Sequence, residues 1–369
     1  HQGSSIGVSI VKQDNVEAFV SAMNQCFFAV QVKAEQWNGF SDDEKRAFAQ
    51  RMANLDEGAG LPLQLQQTSE ILYTPTQLIE KLNDYCSLLN NDCTLLSLNA
   101  EDQVLLEEFV VGQEFSCGVV QDDDGTVIAL PPTEIAKLDE EQTFDFKTKY
   151  KLNVTRKRIP VQTSLENNQK IQYNIALVFE KLGMNTVARI DGFLTPDGRV
   201  LLHDPNTLPG MSPTSLIFKQ MAEIGLDVTH AITYLIRQSL RERIRTGKDT
   251  LHLRALLQDL DVRLAYKNTQ TLPVETLDLQ ATDESLSATR KLYGKLSAEG
   301  KVKPMVVLHT ETGERYQLPV NYLFKDSIED LMALLAQPKH PLLVETIHRT
   351  RHITARIAGG FETEAVKLN

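Results

Sequence analysis

The stretch ARIDGFLTPDGRVLLHDPNTLPG, residues 188–210, decides how the surrounding chain folds. Two apolar runs flank Asp-Gly at 197–198, the dipeptide that most strongly signals a two-residue β-hairpin turn. If these two residues form the loop, counting outward places Asp191 directly across from Asp204. The sequence therefore predicts a hairpin in which two like charges face each other.

A divalent cation between the two aspartates would account for this arrangement. Like charges that face each other across strands are destabilising, and Mg²⁺ takes oxygen ligands, usually one or two carboxylates with substrate phosphates. The same register pairs Arg189 with Asn206. The amide oxygen of Asn206 would lie on the same face as the two aspartates and would serve as a third metal ligand. Arg189 would add a fixed positive charge beside the metal. The alternative is an exposed hairpin whose acids are only solvated.

The composition is that of a soluble globular protein with two or three domains. Of its 369 residues, 42% are hydrophobic and 24% are charged, and the net charge of -11 argues against non-specific nucleic-acid binding. No apolar run reaches the ~18 residues that span a bilayer. The four cysteines form no CxxC pair, which is typical of reduced, mostly buried thiols. We therefore expect a cytoplasmic protein with no nucleic-acid or membrane partner.

Three earlier segments carry residues suited to a nucleotide. The glycines of GSSIG (3–7) let the backbone approach phosphate oxygens. FDFKTKYKL (144–152) aligns three lysines on one strand face, which favours an overlying triphosphate. EEFVVGQEF (107–115) would expose hinge backbone groups to adenine and an acid to ribose hydroxyls. The plainer alternatives are a turn without ligand, a solvated edge strand protected by lysines, and a β-bulge at Gly112.

The segment NTLPGMSPTSL (206–216) is the last candidate. Gly210 lies at a bend, where its N–H could face a developing oxyanion. Ser215 lies at a helix start, where the dipole and the hydroxyl together favour a carboxylate. The alternative for Ser215 is a plain helix cap.

The order of these motifs resembles the D-alanine–D-alanine ligases of the ATP-grasp superfamily. The similarity runs from residue 1 to about residue 244, and its most specific part is the last motif. Family members read Glu-x-Asn-Thr-x-Pro-Gly there, with a serine five residues past that glycine. The resemblance implies an α+β fold with ATP-grasp-like antiparallel sheets and packed helices. It also implies an ATP-grasp catalytic region over 1–245 with an inserted helical segment at 31–99, and a mixed α/β C-terminal extension of unknown role over 246–369.

The implied reaction is the ATP-dependent joining of two D-alanine molecules in cell-wall peptidoglycan precursor synthesis. ATP would phosphorylate the carboxylate of the first D-alanine, and the amine of the second would attack the acyl phosphate. The implied cofactors are ATP and Mg²⁺, with Mn²⁺ as a substitute, and a homodimer is compatible with the sequence. The alternatives are a non-catalytic ATP-grasp relative used for nucleotide binding or assembly, and a ligase with a different acceptor.

The resemblance also assigns roles to individual residues. The implied catalytic residues are Ser4, Tyr150, Arg189 and Gly210. The residue implied to bind the carboxylate of the second D-alanine is Ser215. The implied nucleotide-binding residues are Ser5, Glu107, Phe109, Val110, Glu114 and Lys149. The implied metal ligands are Asp191, Asp204 and Asn206.

Three features depart from the family pattern. The metal-bridging glutamate of the family is Asp204 here, one methylene shorter. The segment between Ser5 and Glu107 is far longer than the short helix and strand that the family needs, which is why 31–99 is interpreted as an insertion. The N-terminal substrate domain of the family, with its first phosphate-binding lysine, has no counterpart before the serine loop.

The region 246–369 matches nothing in the ligase core. Its sequence predicts a helical opening, a strand pair around KPMVVLHTETGERYQLPV, and two late helical segments. HRTRH (348–352) places two histidines four residues apart, the spacing of helical metal ligands, but lacks the acid of a HExxH site. We therefore expect a basic helix face there.

Without the substrate domain, we expect the isolated 369-residue chain to be a weak or inactive ligase. Incubation with ATP, Mg²⁺ and D-alanine, followed by chromatography, should show no dipeptide above the level of a protein-free control. Detectable D-alanyl-D-alanine from the chain alone would contradict this expectation.

Overall fold

The computed structural model describes most of the chain, namely residues 9–11, 16–27, 29–54, 59–99, 103–137 and 155–368. The chain divides into two compact units. The first comprises 1–109 and 139–154, and the second comprises 110–138 and 155–369. Within the described ranges, no helix combines the length and apolarity needed to cross a membrane.

The first unit combines helices with one small antiparallel sheet. Its described helices are α1 (Val16–Cys26), α2 (Ala34–Gly39), α3 (Asp42–Ala53) and α4 (Pro75–Leu82), the last continued by a π-helical segment (Asn83–Leu88). Its described strands are β1 (Ala29–Val32), β2 (Leu63–Leu65), β3 (Glu70–Leu72) and β4 (Cys93–Ser97), in the sheet order β1-β4-β2-β3. The expectation that 31–99 is a helical insertion is therefore wrong in part, because the segment also contains strands.

The physical reason lies in the length of these strands. Two of them, β2 and β3, have only three residues, too few to show an alternating pattern beside the long polar helices. Their apolar side chains nevertheless reach the core, since Leu63 and Leu65 are fully buried with Trp37. The indole of Trp37 packs edge-on against Phe48 at 5.7 Å between ring centroids.

The second unit is built around a six-stranded antiparallel sheet. Its strands are β5 (Gln113–Gln121), β6 (Val127–Ala129), β7 (Thr133–Lys137), β8 (Thr155–Arg158), β9 (Val187–Leu194) and β10 (Val200–Asn206). The order is β10-β9-β5-β7-β8, with β6 paired to β5. The helices of this region are α5 (Leu165–Lys181), α6 (Leu216–Glu223) and α7 (Val228–Thr246).

The C-terminal extension adds a second sheet to the same unit. Its helices are α8 (Leu251–Thr269), α9 (Asp283–Glu299), α10 (Ile328–Leu335) and α11 (Pro341–Ala358), with a 3₁₀ turn at Val320–Phe324. Its strands are β11 (Val274–Gln280), β12 (Lys303–His309), β13 (Arg315–Leu318) and β14 (Val366–Leu368), in sequential order. β11 and β12 are parallel and joined through α9, and the other pairs are antiparallel. The α+β class and the mixed α/β extension are thus confirmed, including the predicted strand pair β12–β13.

Alternation along the strands gives the six-stranded sheet two different faces. On one face, Phe115, Cys117 and Ile190 pack with apolar residues of α5. The side chains that alternate with these along β5 and β9 point to the opposite face of the sheet, and α6 covers that face. Val120 lies on that face and belongs to the same core cluster as Phe218 of α6.

The extension shares a core with the preceding part of the second unit. Buried residues of α8, β11, β12 and α11 belong to the cluster that contains α6 and α7. Glu223 at the end of α6 is 1% exposed, and it accepts hydrogen bonds from Lys325 Nζ at 2.6 Å and Asn321 Nδ2 at 3.0 Å. The boundary at residue 245 between the catalytic region and the extension stays a prediction. Packing does not separate these two parts, because they share a core.

One histidine of the 348–352 segment contacts an acidic turn. His352 on α11 contacts the carboxylate of Asp122, which lies in the turn between β5 and β6. Arg356, one helical turn further, lies 2.8 Å from the carboxylate of Asp123. No cluster of three metal-ligating His, Cys, Asp or Glu side chains occurs in the described part of the chain. His352 and Arg356 of α11 thus pack against the β5–β6 turn.

Lys325→Met is expected to destabilise the second unit, because it leaves Glu223 buried without its counter-ion. Breaking a buried pair on one side typically costs about 3–5 kcal/mol. Urea unfolding followed by circular dichroism measures the change in the free energy of unfolding. The double variant Glu223→Leu/Lys325→Met, which removes both charges, should recover most of that loss. Equal losses in the single and double variants would show that the unpaired charge is not the cause.

Candidate functional site

The hairpin between β9 and β10 has a three-residue loop. The backbone N–H of Thr195 donates to the carbonyl of Arg199 at 3.0 Å, so residues 196–198 form the loop. Gly198 has a φ of 77°, the left-handed conformation that closes a type I turn with a bulge. The predicted two-residue loop is therefore wrong, since Asp-Gly suits both kinds of turn and only the first was assumed.

A second irregularity follows in β10. Asp191 pairs with His203, but Arg189 pairs with Asn206, so the register shifts between 203 and 206. Asp204 lies in this bulge with a φ of 49°. The two one-residue offsets cancel, so the predicted pairing of Arg189 with Asn206 is confirmed. The predicted pairing of Asp191 with Asp204 is wrong.

Asp191 already has a positively charged partner. Its side chain lies in the middle of the sheet and the residue is 4% exposed. Arg189 donates from Nε to Oδ1 and from Nη2 to Oδ2, both at 3.2 Å. Ser116 Oγ donates to Oδ1 at 2.7 Å. The argument that two facing aspartates demand a metal is therefore wrong, because Asp191 is neutralised by its neighbour on the same strand.

The oxygen ligands nevertheless converge on one face. Arg189 and Asp191 are two residues apart in β9 and share a face, and Asn206 lies opposite Arg189. Asn206 Nδ2 donates to Asp204 Oδ2 at 3.1 Å, which brings the second carboxylate to the same side. Bulges of this kind often re-aim a side chain beside an active site.

This set of donors fits Mg²⁺ chemically. Two carboxylates and an amide oxygen are hard ligands of the kind that Mg²⁺ and Mn²⁺ prefer. The guanidinium of Arg189 shows that Asp191 accepts a cation at this position. His203 lies next to these oxygen ligands in β10, and its ring stacks on Phe193 at 5.4 Å between ring centroids. Its buried Nε2 has no hydrogen-bond partner among the described residues.

A glutamine fixes α6 to this face of the sheet. Gln220 is fully buried and accepts a hydrogen bond from Gly118 N–H at 2.7 Å. Its Nε2 donates to the carbonyl of Ser116 and to Thr133 Oγ1, both at 2.8 Å. Gly118 allows the close approach, because a Cβ there would lie 2.5 Å from Ile217 Cδ1.

The start of α6 brings two predicted residues together. A Cβ on Gly210 would lie 3.4 Å from Ser215 Oγ. Ser215 occupies the N-cap position, but its hydroxyl lies 2.8 Å from that of Ser212 and makes no capping bond in the described structure. The alternative of a plain side-chain cap is therefore wrong.

The predicted hinge has no regular secondary structure. Residues 103–111 precede β5 without forming a helix or strand. Glu107 is exposed, Phe109 is 62% exposed and Val110 is partly buried. These side chains are accessible to a ligand, but their exposure does not test an adenine-binding role.

Close backbone approach explains the glycine that follows. A Cβ on Gly112 would lie 2.6 Å from the carbonyl oxygen of Leu194. The pairing of β5 with β9 runs without a register shift from Gln113 onward, so the β-bulge considered for Gly112 is not part of this ladder. Glu114 follows in β5 and pairs with Phe193, which places it on the same face as Asp191.

The remaining predicted residues lie outside the described part of the chain. They are Ser4, Ser5, Lys149 and Tyr150. The structure therefore brings together Arg189, Asp191, Asp204 and Asn206, and it places Gly210 beside Ser215.

Sequence reasoning missed three polar residues behind the site. Ser116 and Gln220 carry the hydrogen bonds described above. Lys219 is 6% exposed and paired with Asp326, and burial lowers the pKa of its amine against the opposing effect of that carboxylate. The available signal was their position, since each polar side chain interrupts an otherwise apolar run. Burial also raises the pKa of the neighbouring Cys117, so its thiol stays protonated.

Gln220→Leu is expected to lower the free energy of unfolding. The substitution removes the acceptor of the buried Gly118 N–H, at about 1–3 kcal/mol, and the bonds that Gln220 donates to the Ser116 carbonyl and the Thr133 hydroxyl. Urea unfolding measures the loss, with Gln169→Leu on the exposed surface of α5 as the matched control. A loss no larger than that of the control would refute the role assigned to Gln220.

Comparisons with known proteins find the family that the sequence resembles. The family described as D-ala D-ala ligase C-terminus matches residues 89–237. D-alanine--D-alanine ligase A of Mesorhizobium japonicum is 32% identical over 151 residues, which are 40% of this chain and 42% of that protein. D-alanine--D-alanine ligase of Porphyromonas gingivalis is 33% identical over 141 residues, 38% of this chain and 42% of that protein.

A solved structure shows a weaker likeness. The D-alanine--D-alanine ligase of Bacillus anthracis aligns with 59% of this chain and 63% of its own, at 20% identity and a TM-score of 0.31. The chain spans less than half the length of the two curated relatives above. The part of the chain that matches the model of the D-ala D-ala ligase C-terminus, residues 89–237, contains the β9–β10 hairpin and the start of α6.

Proposed function

We propose that this chain is the nucleotide-binding part of an ATP-dependent ligase that joins two D-alanine molecules through an acyl phosphate. The observation that carries the proposal is the shared face of Arg189, Asp191 and Asn206, which lies inside the segment that matches the ligase family. Because the chain spans less than half of its curated relatives, the activity and the substrates belong to the proposal. Cytoplasmic cell-wall precursor synthesis belongs to it as well.

Asp191, Asp204 and Asn206 would hold Mg²⁺. The ion supplies charge neutralisation and orientation for phosphate oxygens when bound. The contact with Ser116 supports this role, since it holds the carboxylate of Asp191 in place while Arg189 exchanges its partner for a metal.

Arg189 would bind the transferring phosphoryl group and the oxyanion of the tetrahedral intermediate. Its guanidinium presents two parallel N–H donors, as its bidentate contact with Asp191 shows. The same fork matches two phosphoryl oxygens. The residue is part of a central strand, so its backbone is fixed while the side chain exchanges partners.

The start of α6 would hold the acceptor. Gly210 N–H would face the oxyanion, and Ser215 would bind the carboxylate of the second D-alanine at the positive end of the helix. The family resemblance adds Ser4, Ser5, Lys149 and Tyr150 for phosphate and substrate. It adds Glu107, Phe109, Val110 and Glu114 for the adenosine.

Magnesium-dependent nucleotide binding tests the proposal on the chain itself. Titration calorimetry with a non-hydrolysable ATP analogue should show binding that requires Mg²⁺. Asp191→Asn should weaken it by at least roughly ten-fold, equivalent to about 1.4 kcal/mol. Asp197→Asn is the matched control, since it removes the same charge from the exposed loop of the same hairpin. Absence of binding, or equal effects of the two variants, would overturn the proposed site.

Phosphate release tests the ligase reaction. The protein purified from its native source should release phosphate from ATP when D-alanine is added, and should form the dipeptide. Nucleotide binding without D-alanine-dependent release would favour a non-catalytic relative. Release with D-lactate or another amino acid as the preferred acceptor would place the protein among ligases of different specificity.

A further inference from the structure

Ser116 on β5 makes the shortest contact to Asp191 in the described structure. Ser116 is 1% exposed and pairs directly with Asp191 across the β5–β9 ladder. Its Oγ donates to Oδ1 of that carboxylate at 2.7 Å, compared with 3.2 Å for each contact from Arg189. The motifs that indicate the ligase family assign no role to this serine.

The serine itself is held rigidly. Its carbonyl accepts a hydrogen bond from Gln220 Nε2 at 2.8 Å, and its backbone pairs with Thr133 on β7 as well as with β9. A strand that is paired on both sides and bonded to Gln220 fixes the backbone of Ser116, so only χ1 and the hydroxyl rotation remain free. The fold therefore sets the position from which Ser116 donates, and the bond to Asp191 selects one of its few rotamers.

This contact makes the two oxygens of Asp191 different. Oδ1 accepts from both Ser116 Oγ and Arg189 Nε, whereas Oδ2 accepts from Arg189 Nη2. A serine hydroxyl has one hydrogen to donate, so Ser116 fixes Oδ1 and leaves Oδ2 as the oxygen available to a cation once Arg189 moves. The carboxylate is thereby oriented before any ion arrives.

We propose that Ser116 is a positioning residue that orients Asp191 for a divalent cation. This inference rests on the proposed function, because it needs the metal at Asp191. Ligating carboxylates are commonly held by outer hydrogen bonds, and loss of such a partner typically weakens metal affinity roughly 10–100-fold.

The test measures Mn²⁺ affinity of the 369-residue chain. Free Mn²⁺ is followed by electron paramagnetic resonance in the presence of a saturating non-hydrolysable ATP analogue. Ser116→Ala should raise the dissociation constant for Mn²⁺ roughly 10–100-fold. Ser116→Thr keeps the hydroxyl and should remain close to the wild type. Ser116→Cys keeps the size with a weak donor, and it should behave like the alanine variant even if the latter folds poorly.

Thr133→Val is the matched control. Thr133 is buried on the adjacent strand and bonds Gln220 through its hydroxyl, as the carbonyl of Ser116 does, and its hydrogen bond does not involve Asp191. It should leave Mn²⁺ affinity unchanged. Equal weakening by Thr133→Val, or wild-type affinity in folded Ser116→Ala or Ser116→Cys, would overturn the positioning role alone. Absence of Mn²⁺ binding by the wild-type chain would overturn the proposed function, and this inference with it.

Discussion

The buried ion pair between Arg189 and Asp191 is the constraint on which the candidate site depends. A charge buried in the middle of a sheet has to be paired and hydrogen-bonded, or its desolvation would outweigh the packing around it. Asp191 meets this requirement through Arg189 on its own strand and Ser116 on the next. The site therefore carries its own counter-ion, and the central strand β9 remains stable without a ligand.

Much of the second unit could be predicted from the sequence, and the hairpin shows the limit of such reasoning. The strands β9 and β10 and the pairing of Arg189 with Asn206 follow from two apolar runs around a turn. The exact register between β9 and β10 does not follow from the sequence. An Asp-Gly turn fits loops of two or three residues, and a β-bulge has no clear mark in the sequence. The wrong pairing at Asp204 came from this gap, and the metal assignment stays a prediction that rests on the family resemblance.

For the polar residues behind the site, the sequence shows an interrupted apolar run but not the group that each side chain bonds. Ser116 and Gln220 are single polar side chains in apolar runs, and their partners lie far away in sequence. A periodic pattern shows which face a residue occupies, but it does not show what lies opposite. The same limit hid the short strands within 31–99, and the core that the C-terminal extension shares with α6 and α7.

The short helix α6 has consequences for the whole second unit. One end begins at Ser215, beside Gly210, and the other ends at Glu223, which is held by Lys325 of the extension. Eight residues span about 12 Å of helix, so α6 is a short rigid link between Ser215 at its N-cap and the 3₁₀ turn of the extension that precedes Lys325. Any displacement of one end of this helix has to be accommodated at the other, so the packing of the extension constrains where the Gly210–Ser215 bend lies.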